Sequence, residues 1–100
     1  MVTISREGVV MDVNHAAEEL TGVAREHLIG TRFDSYFTDT GRARAGVAAT
    51  FATGQVRDYR LDLVTSTGTH VPVSFNATPY RGPSGAVHGV FAVARDLTLH

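Results

Sequence analysis

The sequence predicts an α+β domain: an antiparallel sheet of about five strands, with short helices packed on one face. Apolar residues recur at helical spacing through much of residues 14–54, but alternate with polar residues in the second half, as in half-buried strands. Clusters of turn-forming residues separate the segments. The 100 residues match the size of one domain, which we expect to span residues 1–100.

The N-terminal segment predicts a β-hairpin followed by a helix. Val2–Ile4 and Val9–Val13 are rich in strand-forming residues and flank a turn that contains Gly8. Asn14 is a good N-cap for the helix that follows, because its side chain can accept hydrogen bonds from the first free amides. Gly22 predicts the end of that helix, since glycine adopts the left-handed conformation past a last turn.

Three further pieces precede the sheet-forming half of the chain. Arg25–Leu28 predicts a single helical turn, and Phe33–Phe37 a short apolar piece. Asp39 or Thr40 predicts the cap of a longer helix that ends at Gly54. The apolar residues expected on one side of this longer helix are Ala43, Val47, Ala48 and Phe51.

The second half predicts a meander of three strands. The first is centred on Tyr59–Leu63, the second on Val71–Ala77, and the third covers Val87–Arg95. Turn-forming residues at 66–68 and 81–85 separate them. The third strand is apolar on both faces, so it is either central or covered by something beyond the sheet.

Composition excludes several classes of site and partner. The chain has no cysteine, which excludes disulfides, thiolate nucleophiles and Cys-ligated metal centres. All nine basic residues are arginine, and the net charge of −1 gives no basic stripe for nucleic acid. The sequence lacks the roughly 20 consecutive apolar residues of a membrane helix. We therefore expect a cytoplasmic domain without direct membrane or nucleic-acid contact.

Four segments resemble signatures of PAS domains. Residues 13–22 (VNHAAEELTG) are similar to the family's "VN.AAE.LTG", and residues 25–30 (REHLIG) to its "REELIG" turn. Residues 68–73 (GTHVPV) and 85–98 resemble its "DG..VPV" hairpin and its closing "G.V.G......RDIT" segment. The four segments are distributed along the chain in the family's order and at its spacing, so that the resemblance extends over nearly all of the 100 residues. The chain is identified as a member of the PAS family (PAS/PAC sensor, S-box type) of bacterial signalling proteins, which implies the five-stranded PAS fold.

The resemblance implies a signal-sensing or signal-relay module within a larger signalling protein. Such a module regulates an attached C-terminal output domain, for example the histidine kinase of a two-component system, through ligand binding, dimerisation or both. A ligand-free protein–protein dimerisation module is the alternative. The domain itself is expected to be a homodimer without catalytic residues, because the pattern places no general base in the pocket.

PAS domains differ in the cofactor that they hold. Photoactive flavin and covalent cinnamoyl chromophores need a cysteine, which is absent. Haem-binding members usually ligate iron through a histidine of the long helix. Residues 40–54 contain none, which leaves Met11 and His27 as candidate axial ligands. We expect neither haem, flavin nor a metal site, although an unidentified apolar small molecule stays possible.

The alternation of the strands predicts a nearly apolar concave face. Two readings of it stay open: a closed core with nothing inside, or a pocket for an apolar small molecule or lipid-like tail. The hydroxyl of Tyr59 would be the one group there to orient a polar ligand. The expected pocket residues are Phe33, Val47, Phe51, Tyr59, Leu61, Leu63, Val73, Phe75, Ala77, Val90, Ala92 and Ala94.

The opposite face of the sheet predicts a contact surface. Phe91 and Val93 would form an exposed apolar patch there, which suggests either a partner or a flanking helix as its cover. The residues expected at this interface are Val2, Ile4, Ser74, Phe91 and Val93.

Overall fold

The computed structural model of the protein describes residues 1–99. Within these residues two strands are followed by four helical segments and then by three strands, which is the predicted order. The strands are β1 (Val2–Ser5), β2 (Val10–Val13), β3 (Val56–Val64), β4 (His70–Arg81) and β5 (Val87–Asp96). The helices are α1 (His15–Thr21), α2 (Arg25–Leu28), a 3₁₀ helix (Phe33–Tyr36) and α3 (Thr40–Thr53).

The strands form one antiparallel sheet in the order β2-β1-β5-β4-β3. The predicted α+β class and five-stranded sheet are therefore confirmed. The short strand β1 pairs with the last strand of the sequence, so that Val2 lies opposite Ala92 and Ile4 opposite Val90. Consequently β5 is the middle strand of the sheet, which is one of the two explanations that its two apolar faces left open.

The predicted helix ends are confirmed by their capping contacts. The Asn14 side chain accepts a hydrogen bond from the Ala17 amide at 3.2 Å, and the Asp39 side chain accepts one from the Arg42 amide at 2.9 Å. Gly22 ends α1 in the left-handed conformation, with φ at 73°. These caps satisfy amides that have no partner inside the helix.

The buried side of α3 differs from the predicted one. Ala43, Gly46 and Thr50 are buried, whereas Val47 is half-buried and Ala48 is exposed. The ring of Tyr59 lies so close to α3 that a Cβ added at Gly46 would be 2.6 Å from its Cε2 atom. Small residues therefore face the sheet, and the Thr50 hydroxyl donates to the Gly46 carbonyl at 2.8 Å.

Candidate functional site

Three aromatic rings divide the space between the helices and the sheet. The ring centroids of Phe33 and Phe37 are 4.9 Å apart, and Phe75 lies 5.5 Å from the first and 5.8 Å from the second. Tilted and edge-to-face contacts of this kind are favourable arrangements for aromatic pairs. A cavity lies on each side of this cluster, and Phe33 and Phe75 line both.

The larger of these two cavities has a volume of about 80 Å³ and lies beside α1. We call it the α1-side cavity. Its walls include five of the predicted pocket residues: Phe33, Leu63, Val73, Phe75 and Ala94. Residues that the sequence did not assign to the pocket complete it, among them Ala17, Leu20, Leu28 and Tyr36. The candidate site therefore lies closer to the first helices than predicted.

The polar groups of the α1-side cavity are already hydrogen-bonded. Thr31 Oγ1 uses its hydrogen to donate to the Leu28 carbonyl at 2.6 Å. The Tyr36 hydroxyl, 2.5 Å from Thr31 Oγ1, must therefore be the donor in their contact. Thr21 Oγ1 donates to the Ala17 carbonyl at 2.8 Å. Tyr36 thus retains lone pairs but no free hydrogen, so it can accept a hydrogen bond from a ligand.

The second cavity, below α3, has a volume of only about 20 Å³. Its walls include six other predicted pocket residues: Val47, Tyr59, Leu61, Ala77, Val90 and Ala92. A space of this size holds roughly one water molecule. The predicted pocket is thus split in two, and the part below the long helix is nearly filled.

Tyr59 does not orient a ligand in this structure. Its hydroxyl donates to the Arg42 carbonyl of α3 at 2.6 Å, and the Arg42 guanidinium lies 4.6 Å from its ring centroid. The hydroxyl has thus already used its hydrogen within the protein, and its predicted role in orienting a polar ligand stays a prediction. The ring instead fills the space that Gly46 leaves open.

Phe51 lies outside both internal cavities. Its ring lines a surface groove between the β1–β2 turn and α3, where the Arg6 guanidinium is 4.9 Å from the ring centroid. Helical periodicity placed Phe51 on the buried side of α3, whereas the structure places it half-buried beside a surface groove.

The outer face of the sheet carries the predicted apolar patch. Phe91 is 39% exposed and Val93 is 45% exposed. Val2 and Ile4 were assigned to the same interface, but they are buried on the inner face. The register explains the correction, because it is Thr3 that lies opposite Phe91, on the outer side.

Ser74 belongs to the outer face of the sheet, because it alternates with inward-facing residues of β4. It is nevertheless buried. It is 2% exposed, and its hydroxyl donates to Asp58 Oδ1 at 2.6 Å. Asp58 has a positive φ of 47° at an irregularity in β3, and Arg60 also contacts its carboxylate. The hydrogen bond from Ser74, followed by that from Arg60, lowers the pKa of Asp58 below its usual value. The Ser74 hydroxyl therefore helps to hold this irregularity of β3 in place through its hydrogen bond to Asp58.

The candidate haem ligands do not form a metal site. Met11 Sδ accepts a long contact from the Tyr80 hydroxyl at 3.9 Å, and His27 is exposed on α2. Within residues 1–99, no group of three or more His, Asp or Glu side chains is arranged to hold a metal ion. In the same range no helix is both long and apolar enough to cross a membrane.

The comparisons agree with the fold. A family model described as PAS fold matches residues 1–99. A PAS domain from Colwellia psychrerythraea superimposes with a TM-score of 0.86 at 21% identity, covering 97% of this chain and 84% of that one. Drosophila melanogaster Cycle PAS-B with bound ethylene glycol gives a TM-score of 0.83 at 14% identity, with coverages of 96% and 97%. No curated protein matches the chain.

A third similar structure is that of VqmA bound to DPO. It gives a TM-score of 0.76 at 23% identity, and the alignment covers 98% of this chain but 52% of VqmA. At such identities the structural neighbours establish the fold alone. The family match extends over almost the entire chain, so the chain belongs to the family of PAS domains. PAS domains are generally sensory, non-catalytic signalling modules.

Proposed function

We propose that this PAS domain senses a small, mostly apolar molecule in the α1-side cavity. The observation that carries the proposal is the cavity of about 80 Å³, whose walls are largely apolar and whose polar groups offer an acceptor at Tyr36. Ligand pockets generally combine apolar walls with a few polar groups that orient the ligand. We infer a ligand with a few heavy atoms and one hydrogen-bond donor.

The size of the cavity supports a small ligand over a large cofactor. An engineered protein cavity of about 150 Å³ binds benzene. The α1-side cavity is about half as large, so a flavin or haem would require the helices to move apart. The Cycle PAS-B and VqmA structures hold ethylene glycol and DPO respectively, which is consistent with small-molecule binding in similar folds.

We propose that ligand binding reaches an attached output domain through β5. Ala94 forms part of the cavity wall and lies near the end of this strand. Beyond it, the Leu97 amide donates to the Pro72 carbonyl at 2.9 Å, which holds the chain against β4. A ligand that displaces Ala94 would therefore disturb the segment that leads to the output domain, such as a histidine kinase.

The alternative function is a dimerisation module without a ligand. The exposed patch at Phe91 and Val93 supports it, because a shallow groove of about 420 Å³ adjoins both residues. Sensing and dimerisation are compatible, since the patch and the α1-side cavity lie on opposite faces of the same sheet. Saturable ligand binding distinguishes the two functions, because a sensor binds a ligand and a ligand-free dimerisation module does not.

The test is an NMR titration of methyl-labelled protein with 2-butanol and 2-butanone. The two probes share a carbon skeleton, but only the alcohol can donate a hydrogen bond. We expect saturable shifts of the Leu28, Leu63 and Val73 methyl groups with 2-butanol and weaker binding of 2-butanone. The dissociation constant of 2-butanone should be about tenfold higher than that of 2-butanol, as expected for the loss of one hydrogen bond. Absence of saturable shifts for both probes would favour the ligand-free module.

Cavity-filling variants test whether the ligand binds in the α1-side cavity. Ala94→Leu should fill the α1-side cavity and abolish saturable binding of 2-butanol. Ala45→Leu is the matched control, because Ala45 is exposed on α3 and the substitution adds the same atoms. Should Ala94→Leu disturb the fold, Ala17→Leu fills the same cavity from α1. Unchanged binding in the well-folded cavity variants would refute the assignment of the site.

A further inference from the structure

A second site is formed by the surface groove that Phe51 lines. The groove has a volume of about 210 Å³ and lies where the β1–β2 turn, the 3₁₀ helix and α3 meet. Phe33, Val47 and Phe51 contribute apolar walls, while Arg6, Arg32 and Arg44 line it with guanidinium groups. We call it the arginine groove. It combines a concave apolar surface with three cations.

A buried carboxylate holds two of the three arginines in position. The side chain of Asp34 is 8% exposed, and its Oδ2 atom accepts from Arg32 Nη2 and from Arg44 Nε, each at 3.2 Å. Burial raises the pKa of Asp34, but the hydrogen bonds from the two arginines outweigh it, and the pKa is lowered. Asp34 is therefore an anion that holds the two guanidinium groups side by side.

The arginines keep hydrogen-bond donors for a ligand. A guanidinium has five N–H groups in a planar fork. In the described hydrogen bonds Arg44 donates only from Nε, and its side chain is 66% exposed. Arg32 donates to Asp34 and, at 3.2 Å, to the Glu7 carbonyl, and it is 51% exposed. Both side chains are thus positioned by the fold and still present N–H groups to solvent.

The third arginine connects the cations with the aromatic wall. The Arg6 guanidinium lies above the ring of Phe51, 4.9 Å from its centroid. The anions of the groove are Asp34, which is already paired twice, and the exposed Glu7. The three arginines therefore leave one positive charge in excess, next to an apolar surface.

We propose that the arginine groove binds a small amphipathic organic anion, a carboxylate that carries one ring or a short apolar chain. The carboxylate would accept the free N–H groups of Arg44 and Arg32, since guanidinium and carboxylate match in geometry. The apolar part would lie against Val47 and Phe51. A volume of about 210 Å³ suits a single ring, because an engineered cavity of about 150 Å³ accommodates benzene.

The groove shares a wall with the α1-side cavity but is a separate site. Phe33 lines the groove and both internal cavities. An anion in the groove would therefore lie next to a residue that also contacts a ligand inside. Ligand binding in the α1-side cavity and anion binding in the arginine groove can fail independently, because different probes and variants test them.

The test is an NMR titration of the isotopically labelled protein with phenylacetate, phenylacetamide and inorganic phosphate. The amide has the same shape as the acid but no charge, and phosphate has charge but no apolar part. We expect saturable shifts at Gly8, Phe51 and the Arg44 side chain with phenylacetate. Both other probes should bind at least about tenfold more weakly, because each lacks one of the two interactions.

Matched arginine variants decide whether the groove is the site. Arg44→Gln should weaken phenylacetate binding about tenfold or more, as expected for loss of a charge-assisted hydrogen bond. Arg81→Gln removes the same charge from the exposed end of β4, outside the arginine groove, and should bind as the unmodified protein does. Arg6→Gln is a second variant, for use if Arg44→Gln disturbs the fold.

Three results would overturn the proposal. Equal affinity for phenylacetate and phenylacetamide would show that charge has no part in binding. Equal affinity for phenylacetate and phosphate would show that the apolar wall does not contribute to binding. Binding that survives both Arg44→Gln and Arg6→Gln would mean that these arginines do not bind the anion.

Discussion

At the scale of single residues, the contact between Gly46 and Tyr59 decides where a ligand can bind. The Tyr59 ring lies against α3 and its hydroxyl bonds to the helix backbone, so the space below α3 shrinks to about 20 Å³. The residues are 13 positions apart and on different elements. Periodicity predicted that Tyr59 faces the sheet interior, but it carries no information on the contact with Gly46, which depends on the distance between two packed elements.

The first residue-scale prediction concerns Gly46→Ala. Alanine favours a helix over glycine by about 1 kcal/mol. The new Cβ would nevertheless lie 2.6 Å from Tyr59 Cε2, and the ring is held by Arg42 on its face and at its hydroxyl. We expect the free energy of unfolding to fall by about 1–3 kcal/mol, as in other overpacked cores. Urea denaturation followed by circular dichroism measures the change.

Gly41→Ala is the matched control on the same helix. An added Cβ there meets only Asp39 Oδ1 at 3.5 Å, which is an ordinary contact distance. This variant should be as stable as the unmodified protein or slightly more stable. If Gly46→Ala proved as stable as Gly41→Ala, the contact with Tyr59 would not limit the space below α3.

At the scale of elements, the sequence predicted the helices and strands closely because their ends carry strong local signals. Asn14, Gly22, Asp39 and Gly54 each occupy the predicted cap. The strands extend further than predicted, β4 to Arg81, since cross-strand hydrogen bonds and not side-chain pattern set their ends. Local signals define an element, but they do not say which element covers which part of the sheet.

The candidate site was predicted only in part, because local signals do not show which helix covers which part of the sheet. The sheet residues expected in the pocket line the internal cavities, because alternation alone assigns a strand residue to a face. The sequence placed the ligand beneath the longest helix, whereas the larger internal cavity lies beside α1. A signal for this was present: Ala17 and Leu20 of the first helix continue from Val13 at helical spacing, and all three residues line the cavity.

The element-scale prediction concerns the cap of α1. The Asn14 side chain accepts from the Ala17 amide at 3.2 Å and from the N-terminal ammonium group at 2.7 Å. Asn14→Ala removes both contacts and should lower the free energy of unfolding by about 1 kcal/mol. Because α1 forms part of the cavity wall, its amides should also exchange faster with solvent. Hydrogen exchange by NMR measures the second effect.

Asn14→Asp provides the control for the cap. An aspartate accepts the same hydrogen bonds and adds a favourable negative charge at a helix N-terminus. Exchange in α1 should then be as slow as in the unmodified protein. Equal exchange in the alanine and aspartate variants would mean that packing against the sheet, and not the cap, holds α1 over the cavity.

At the scale of the whole molecule, the outer face of the sheet is the surface best suited to pair two copies. We predict that the protein forms a homodimer through the patch at Phe91 and Val93. Phe91→Glu or Val93→Glu would bring an uncompensated charge into that contact and should raise the dimer dissociation constant at least about tenfold. Sedimentation velocity at several protein concentrations measures the dissociation constant.

Ala45→Glu is the control for the dimer, since Ala45 is exposed on α3, away from the outer face of the sheet. It introduces the same charge and should leave the dimer intact. A protein that sediments as a monomer at every concentration would contradict the prediction, and so would a dimer that withstands both substitutions in the patch.

The position of β1 between β2 and β5 has a consequence for how the chain folds during synthesis. Among the strands of this domain, β1 leaves the ribosome first and β5 leaves last, although the two pair in the sheet. Until then Ile4, which is 1% exposed in the finished domain, lacks the strand that covers it. Pairing across such a sequence separation is slow relative to local contacts. The middle of the sheet therefore forms as the final strand emerges, immediately before any domain encoded downstream.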